Sequence, residues 1–172
     1  KTLSIPDFPL YGQSLIEASA GTGKTFTITG LYNRLILGHG RPRLGCDQIL
    51  VVTFTRAATE ELRGRIRQRL RDTLEDLLSL ENGQSIDDQQ LQYLQQLAAV
   101  QNSEGQNSEG QNRDAQHSDI DSLCKQLKPW LQSNLALMDE AAIYTIHGFC
   151  QRMLKQFAFD SGVVFSAELV LD

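Results

Sequence analysis

A short apolar stretch, Leu15-Ile16, leads into Ala18-Ser19-Ala20-Gly21-Thr22-Gly23-Lys24-Thr25, and that run leads into a helix-forming stretch from Phe26 to Leu37. Strand, loop of small residues and helix opened by Lys-Thr form the layout of a phosphate-binding loop. No other feature constrains the fold as much. Backbone N–H groups converge on phosphate oxygens only where the loop's side chains are small, and the helix that follows aims the positive end of its dipole at the same oxygens. In this layout Ala18, Ser19, Ala20, Gly21, Thr22 and Gly23 form the cradle, Lys24 reaches the β- and γ-phosphates, and the Thr25 hydroxyl coordinates Mg²⁺. Ala18 stands where the general G-x-x-x-x-G-K-T pattern has its first glycine. The plainer alternative is a glycine-rich turn capping a helix, and the strand and helix on either side argue against it.

The rest of the pattern alternates strands and helices. Ser14 to Glu17 reads as a first strand, and residues 24–37 as a helix with Phe26, Ile28, Leu31, Leu35 and Ile36 as its apolar positions, stopped by Gly38-His39-Gly40. Ile49-Leu50-Val51-Val52 is a continuous apolar run with β-branched residues, suited to a strand buried on both faces of a parallel sheet. Ala57 to about Leu80 reads as a long helix with Leu62, Ile66, Leu70, Leu74 and Leu77 on one stripe. Ala142 to Ile146 reads as a third buried strand and Gly148 to Phe157 as a helix. This is an α/β pattern with a parallel sheet and flanking helices. Ligands gather at the carboxyl ends of such strands. The expectation is therefore that the glycine loop, the residues after Val52 and the residues after Tyr144 share one edge.

The middle of the chain differs in composition. A helical pattern over 86–100 is followed by Gln101-Asn102-Ser103-Glu104-Gly105 and then Gln106-Asn107-Ser108-Glu109-Gly110, a polar repeat without an apolar side chain. Such a segment cannot bury enough surface to offset its ordering entropy, so 101–118 is expected to be disordered or mobile. A helix is expected to resume near Ile120 and to run to about Met138, broken near Pro129. Residues 72–121 hold eleven of the 21 acids and one of the 16 Lys and Arg residues, Arg113. The formal net charge of −5 thus hides a basic body behind an acidic insert, and local fields decide binding more than the total does. No apolar run approaches the ~20 residues of a membrane helix. Cys46, Cys124 and Cys150 cannot all pair and include no C-x-x-C, which points to reduced thiols rather than a zinc site.

Two further segments carry chemistry. After Val52 come Thr53-Phe54-Thr55-Arg56, then a helix with Arg63, Arg67 and Arg71 in one row and Arg65 and Arg69 in another. Thr53 and Thr55 put hydroxyls at a strand end, where they bind phosphate or cap the next helix. Phe54 between them either stacks on a base or tucks under the helix. The arginine rows are either a solvated face paired with Glu60, Glu61, Glu75 and Asp76, or in part phosphate contacts. After Tyr144 come Thr145-Ile146-His147-Gly148-Phe149-Cys150, in which His147 at a helix start fits a structural as well as a functional role.

Together, A-x-A-G-T-G-K-T, V-V-T-F-T-x-x-A-x-x-E-L-R-x-R-I and T-I-H-G-F-C-Q-R-M-L resemble motifs I, Ia and Ib of superfamily 1 DNA helicases of the UvrD type, with wording nearest the RecB branch. The resemblance covers roughly residues 8–80 and 135–165. It implies a P-loop NTPase fold of the RecA-like kind, incomplete here. Residues 1–80 and 135–172 would be the first part of the N-terminal ATP-binding domain 1A, and 81–134 a helical insert. It implies ATP and Mg²⁺ at Ala18 to Thr25, with Lys24 and Thr25 as catalytic residues. It implies DNA contact at Thr53, Phe54, Thr55 and Arg56, and at Thr145, His147, Gly148 and Phe149. Relatives often carry other polar residues at the Arg56 position. Gln13 is the nearest candidate for the family's adenine-reading glutamine, although Tyr11 competes for that place. The implied partners are single-stranded and duplex-end DNA and the other subunits of a RecBCD-type complex, without a membrane, in the bacterial cytoplasm. The implied parent is an ATP-driven 3′→5′ translocase and exonuclease subunit in double-strand-break repair and recombination.

Hydrolysis needs a further carboxylate at a strand end to hold Mg²⁺ and activate water. The one Asp-Glu pair, Asp139-Glu140, precedes the Thr-Ile-His segment and has no Gln-Asp after it, so it reads as a helix-end or loop acid. The expectation is a part of a helicase that does not turn ATP over by itself. A non-enzymatic DNA-binding or partner-docking module and a small P-loop kinase are the alternatives. A GTPase is disfavoured, because D-x-x-G and N-K-x-D do not occur.

Overall fold

The computed structural model describes residues 4–17, 21, 23–103 and 113–157. Its elements run α1 (Lys24–Leu37), β1 (Val51–Thr53), α2 (Arg56–Glu81), α3 (Asp88–Ser103), α4 (Arg113–Ala136), β2 (Ile143–Thr145) and α5 (Ile146–Gln156). β1 and β2 pair in parallel with Val51 opposite Ile143, Val52 opposite Tyr144 and Thr53 opposite Thr145. Parallel neighbours require a crossover, and here α2, α3 and α4 supply it.

Each helix has a sequence reason for its limits. α1 stops at Gly38, whose φ of +76° is the left-handed conformation that lets its N–H and that of His39 return to the Arg34 carbonyl. α2 begins after Thr55, whose hydroxyl accepts from the Ala58 N–H at 3.1 Å. Asp87 opens α3 by accepting from the N–H groups of Gln89 and Gln90. α5 starts after Thr145, which accepts from the Gly148 N–H at 3.1 Å.

One apolar core joins these elements. Leu62, Ile66, Leu70 and Leu77 of α2 meet Tyr32, Ile36 and Leu37 of α1, Leu94 and Leu97 of α3, and Leu123, Leu127 and Leu131 of α4. Trp130 of α4 adds an indole N–H donated to the Ile36 carbonyl at 2.7 Å. Arg34, 4% exposed, donates Nη1 to the carbonyls of Ile5 and Phe8, which straps the lead-in onto α1. Burial pushes the Tyr32 and Tyr93 phenols up. Among the described residues no helix is long and apolar enough to cross a membrane.

Several expectations are corrected. Ser14–Glu17 is not in a strand, and Leu15 is 83% exposed: nothing among the described residues lies beside it to complete a ladder. β1 is covered on one face only, since Leu50 and Val52 are exposed while Ile49 is buried. α1 turns Thr29, Tyr32, Asn33, Ile36 and Leu37 inward, leaving Phe26 and Ile28 exposed. α4 passes through Pro129 unbroken. Leu127 and Leu131 on either side are fully buried, and Pro129 itself is exposed, so packing outweighs the lost N–H. Residues 101–103 and 113–118 are helical rather than disordered, each continuing a helix anchored in the core, and 104–112 lie outside the described residues.

Candidate nucleotide and nucleic-acid interface

The parallel register places Thr53 and Thr145 side by side, so the Phe54-Thr55 connection and the first residues of α5, Ile146-His147, leave the same edge of the sheet. The threonines are occupied. The Thr53 hydroxyl lies 2.6 Å from that of Thr59, and both reach the Thr55 carbonyl, at 3.1 and 3.0 Å. Thr55 and Thr145 cap α2 and α5. Thr55 thus takes the capping role that its place at the strand end offered, Thr53 is held by Thr55 and Thr59 instead, and the side chain left free between them is Phe54, which is 86% exposed. Phe54 does not tuck under α2. Arg56 and His147 are also exposed, and Phe149 is half-buried. At Gly148 a Cβ would come within 3.1 Å of the Thr145 hydroxyl and crowd the cap.

The glycine loop differs from these capped ends. Gly21 and Gly23 have φ of +77° and +85°, a conformation that side-chain-bearing residues rarely adopt. A Cβ on either would meet no atom of the described residues within 4 Å, so the backbone conformation is what calls for glycine. Gly23 has no side chain to cap α1, and the N–H groups of a helix's first turn are suited to an anionic acceptor. Lys24 is exposed and Thr25 half-buried at that end. Ala18, Ser19, Ala20 and Thr22 lie outside the described residues. The strand ends of β1 and β2 are joined directly, whereas α1 joins them through its packing on α2. Gln13 is exposed, and Tyr11 is exposed with the Arg41 guanidinium 5.3 Å from its ring centre.

The arginine rows divide. Arg63 pairs with Glu60 and Arg65 with Glu61, as expected for a solvated face. Arg67 instead reaches Asp139 at 2.5 Å, and Arg63 Nη2 donates to the Ile143 carbonyl at 3.0 Å. These two side chains bolt α2 to the turn before β2 and to β2 itself. Asp139 is therefore a loop acid engaged by Arg67.

A family model described as the UvrD/REP helicase N-terminal domain matches residues 5–169. The chain belongs to the UvrD/REP helicase N-terminal domain family. Within that family it is similar to the RecBCD enzyme subunit RecB of Escherichia coli, 41% identical over all of this chain and 13% of the relative. The same subunit of Haemophilus influenzae is 44% identical over 95% of this chain and 12% of the relative. That of Buchnera aphidicola from Acyrthosiphon pisum is 35% identical over 98% and 12%. The chain thus spans about an eighth of the length of these relatives.

In this UvrD/REP domain the residue pattern alone did not reveal the positioning roles of Thr59, Arg63 and Arg67. Thr59 had a visible signal, a hydroxyl on the first turn after Thr55 and facing the strand end. Arg63 and Arg67 had none, since their partners Ile143 and Asp139 lie 80 and 72 residues away in the chain.

Proposed function

We propose that this chain is the ATP-binding and strand-gripping part of a RecB-type helicase subunit, the first portion of a RecA-like domain 1A with 81–134 as its helical insert. In this reading the parent moves 3′→5′ along single-stranded DNA within a RecBCD-type complex that processes broken duplex ends. The observation that carries the reading is the Thr53–Thr145 register. It supports the reading by setting the Phe54-Thr55 connection and the start of α5 on one edge, with Phe54 bare between capped helix ends.

The residues present fit ATP–Mg²⁺. N–H groups at the start of α1 would bind phosphate oxygens, the Lys24 ammonium would balance their charge, and the Thr25 hydroxyl would face the magnesium. Bound ATP–Mg²⁺ supplies the free energy of phosphoryl transfer. Phe54 would stack on a base while Arg56, His147 and the helix ends of α2 and α5 follow the phosphates. Thr53, Thr55, Thr59 and Thr145 position that surface rather than touch the strand. With Asp139 held by Arg67, no Asp-Glu pair is left to orient water, so this chain holds nucleotide without turning it over.

The test is binding of a fluorescent ATP analogue to the chain, with phosphate release followed in parallel. Weak, Mg²⁺-dependent binding that Lys24→Ala abolishes is expected, without turnover. Unchanged binding by Lys24→Ala would overturn the cradle. A steady-state ATPase rate that vanishes in the same variant would overturn the inactivity.

A further inference from the structure

A cavity of about 690 Å³ lies between α1, α2, the start of α3 and the strapped lead-in at Ile5 and Pro6. Asn33 on its wall is eight residues beyond Thr25, about 12 Å along α1 from the phosphate cradle. Asn33 is 4% exposed. Its amide has one orientation that satisfies its neighbour. The Thr73 hydroxyl donates to the Arg69 carbonyl at 2.9 Å, so it accepts from Asn33 Nδ2, which lies 3.2 Å away. The amide oxygen Oδ1 is then left buried without a donor, a state that costs as much as a broken hydrogen bond.

Three carboxylates line the same space, Asp72, Asp76 and Asp87. Among the described residues none of them is in an ion pair. Burial pushes the Asp76 carboxyl up, Arg69 only partly offsets this, and Asp72, Glu75 and Asp87 push it further up. Arg34 and Arg69 also face the cavity, two guanidiniums against three carboxylates. Both terminal nitrogens of Arg34 are committed to backbone carbonyls, those of Ile5, Phe8 and His39. The Nε atoms of Arg34 and Arg69 and the Tyr93 hydroxyl are buried without partners. Ile5, Pro6 and Phe26 give the cavity an apolar side.

We infer that this cavity is a binding site for an alkylguanidinium or alkylammonium group, its head between Asn33 Oδ1 and the Asp72 and Asp76 carboxylates and its stem along Ile5 and Phe26. An N–H donor satisfies the orphaned amide oxygen, the positive charge balances acids whose partners are neutral, Gln68 for Asp72 and two backbone N–H groups for Asp87, and the apolar wall takes the methylenes. The reading does not depend on the nucleotide or DNA reading, since it uses none of those residues. A free diamine and a lysine or arginine side chain from another protein share this chemistry.

The test is calorimetric titration of the chain with agmatine at constant ionic strength, with choline as the control because it carries charge without an N–H donor. Agmatine should bind with 1:1 stoichiometry and choline should not. Asp76→Asn, with its fold checked by circular dichroism, should weaken agmatine about tenfold, the loss of one charge-assisted contact. A capped pentapeptide with a central arginine separates the sources: binding at least as tight as agmatine's assigns a protein side chain, and weaker binding assigns a free small cation. Equal heats for agmatine and choline, or an unchanged affinity in Asp76→Asn, would overturn the site.

Discussion

Removing the Phe54 ring should separate binding from stability. The side chain is 86% exposed, so Phe54→Ala removes almost no packed surface. Surface substitutions of this kind change stability by about 0.5 kcal/mol or less. A ring on which a base stacks contributes about 1–3 kcal/mol of binding, which corresponds to a loss of roughly 5- to 150-fold in affinity. Fluorescence anisotropy with a labelled oligo-dT at several salt concentrations reads the affinity, and urea denaturation of the same preparations reads the stability. The affinity should fall within that range at every salt concentration while the slope against log salt stays fixed, because no phosphate contact is lost. Phe54→Trp should retain binding. The reasoning fails if Phe54→Ala binds oligo-dT as the parent chain does, or if its unfolding midpoint drops markedly, which would mean that the ring packs against the protein.

Two stability predictions follow from the core. Trp130→Phe keeps an aromatic ring but loses part of the packed indole and the donor to the Ile36 carbonyl at 2.7 Å, and should cost at least about 1 kcal/mol in urea unfolding. His39 is buried, stacked edge-on to Tyr93 at 5.1 Å between ring centres, and its pKa is lowered from 6.5, by burial first and then by Arg34. The unfolded chain therefore binds this proton before the folded one does. The His39 contribution should be complete above pH 6.5 and lost as pH falls through that value. Urea midpoints measured from pH 8 down to pH 5 should fall more steeply for the parent chain than for His39→Gln, and parallel curves would refute the assignment.

Local signals that act over a few residues were legible in the sequence. Gly38 as a stop, Thr55 as a cap and the α2 stripe read correctly, because a cap or a periodic face is decided within one or two turns. What failed depended on distant partners. Leu15-Ile16 has strand-like residues, but a strand exists only beside another. Pro129 argues for a break until Leu127, Trp130 and Leu131 are seen locked into α1 and α2. The α1 stripe was misjudged because Arg34 and Asn33 count as polar, yet the carbonyls of Ile5 and Phe8 and the Thr73 hydroxyl satisfy them inside. At the candidate site the residue types were legible, and the division of labour was not. The pattern could not say that the threonines are consumed in capping, leaving Phe54 as the exposed ring.

The linkage of Thr53, Thr55 and Thr59 fuses the tip of β1 to the first turn of α2, and Arg63, two turns further on, clamps the helix to the next strand. α2 has 26 residues, so it is a rod about 39 Å long with its short arm gripped at the sheet. A tilt of about five degrees at Thr55 would swing the opposite end by about 3 Å, given that length. At that far end Glu81 is tied to Lys128 of α4. The strand tips and the far helices are thus two ends of one element, and any tilt imposed at the first would be carried to the Glu81–Lys128 tie at the second.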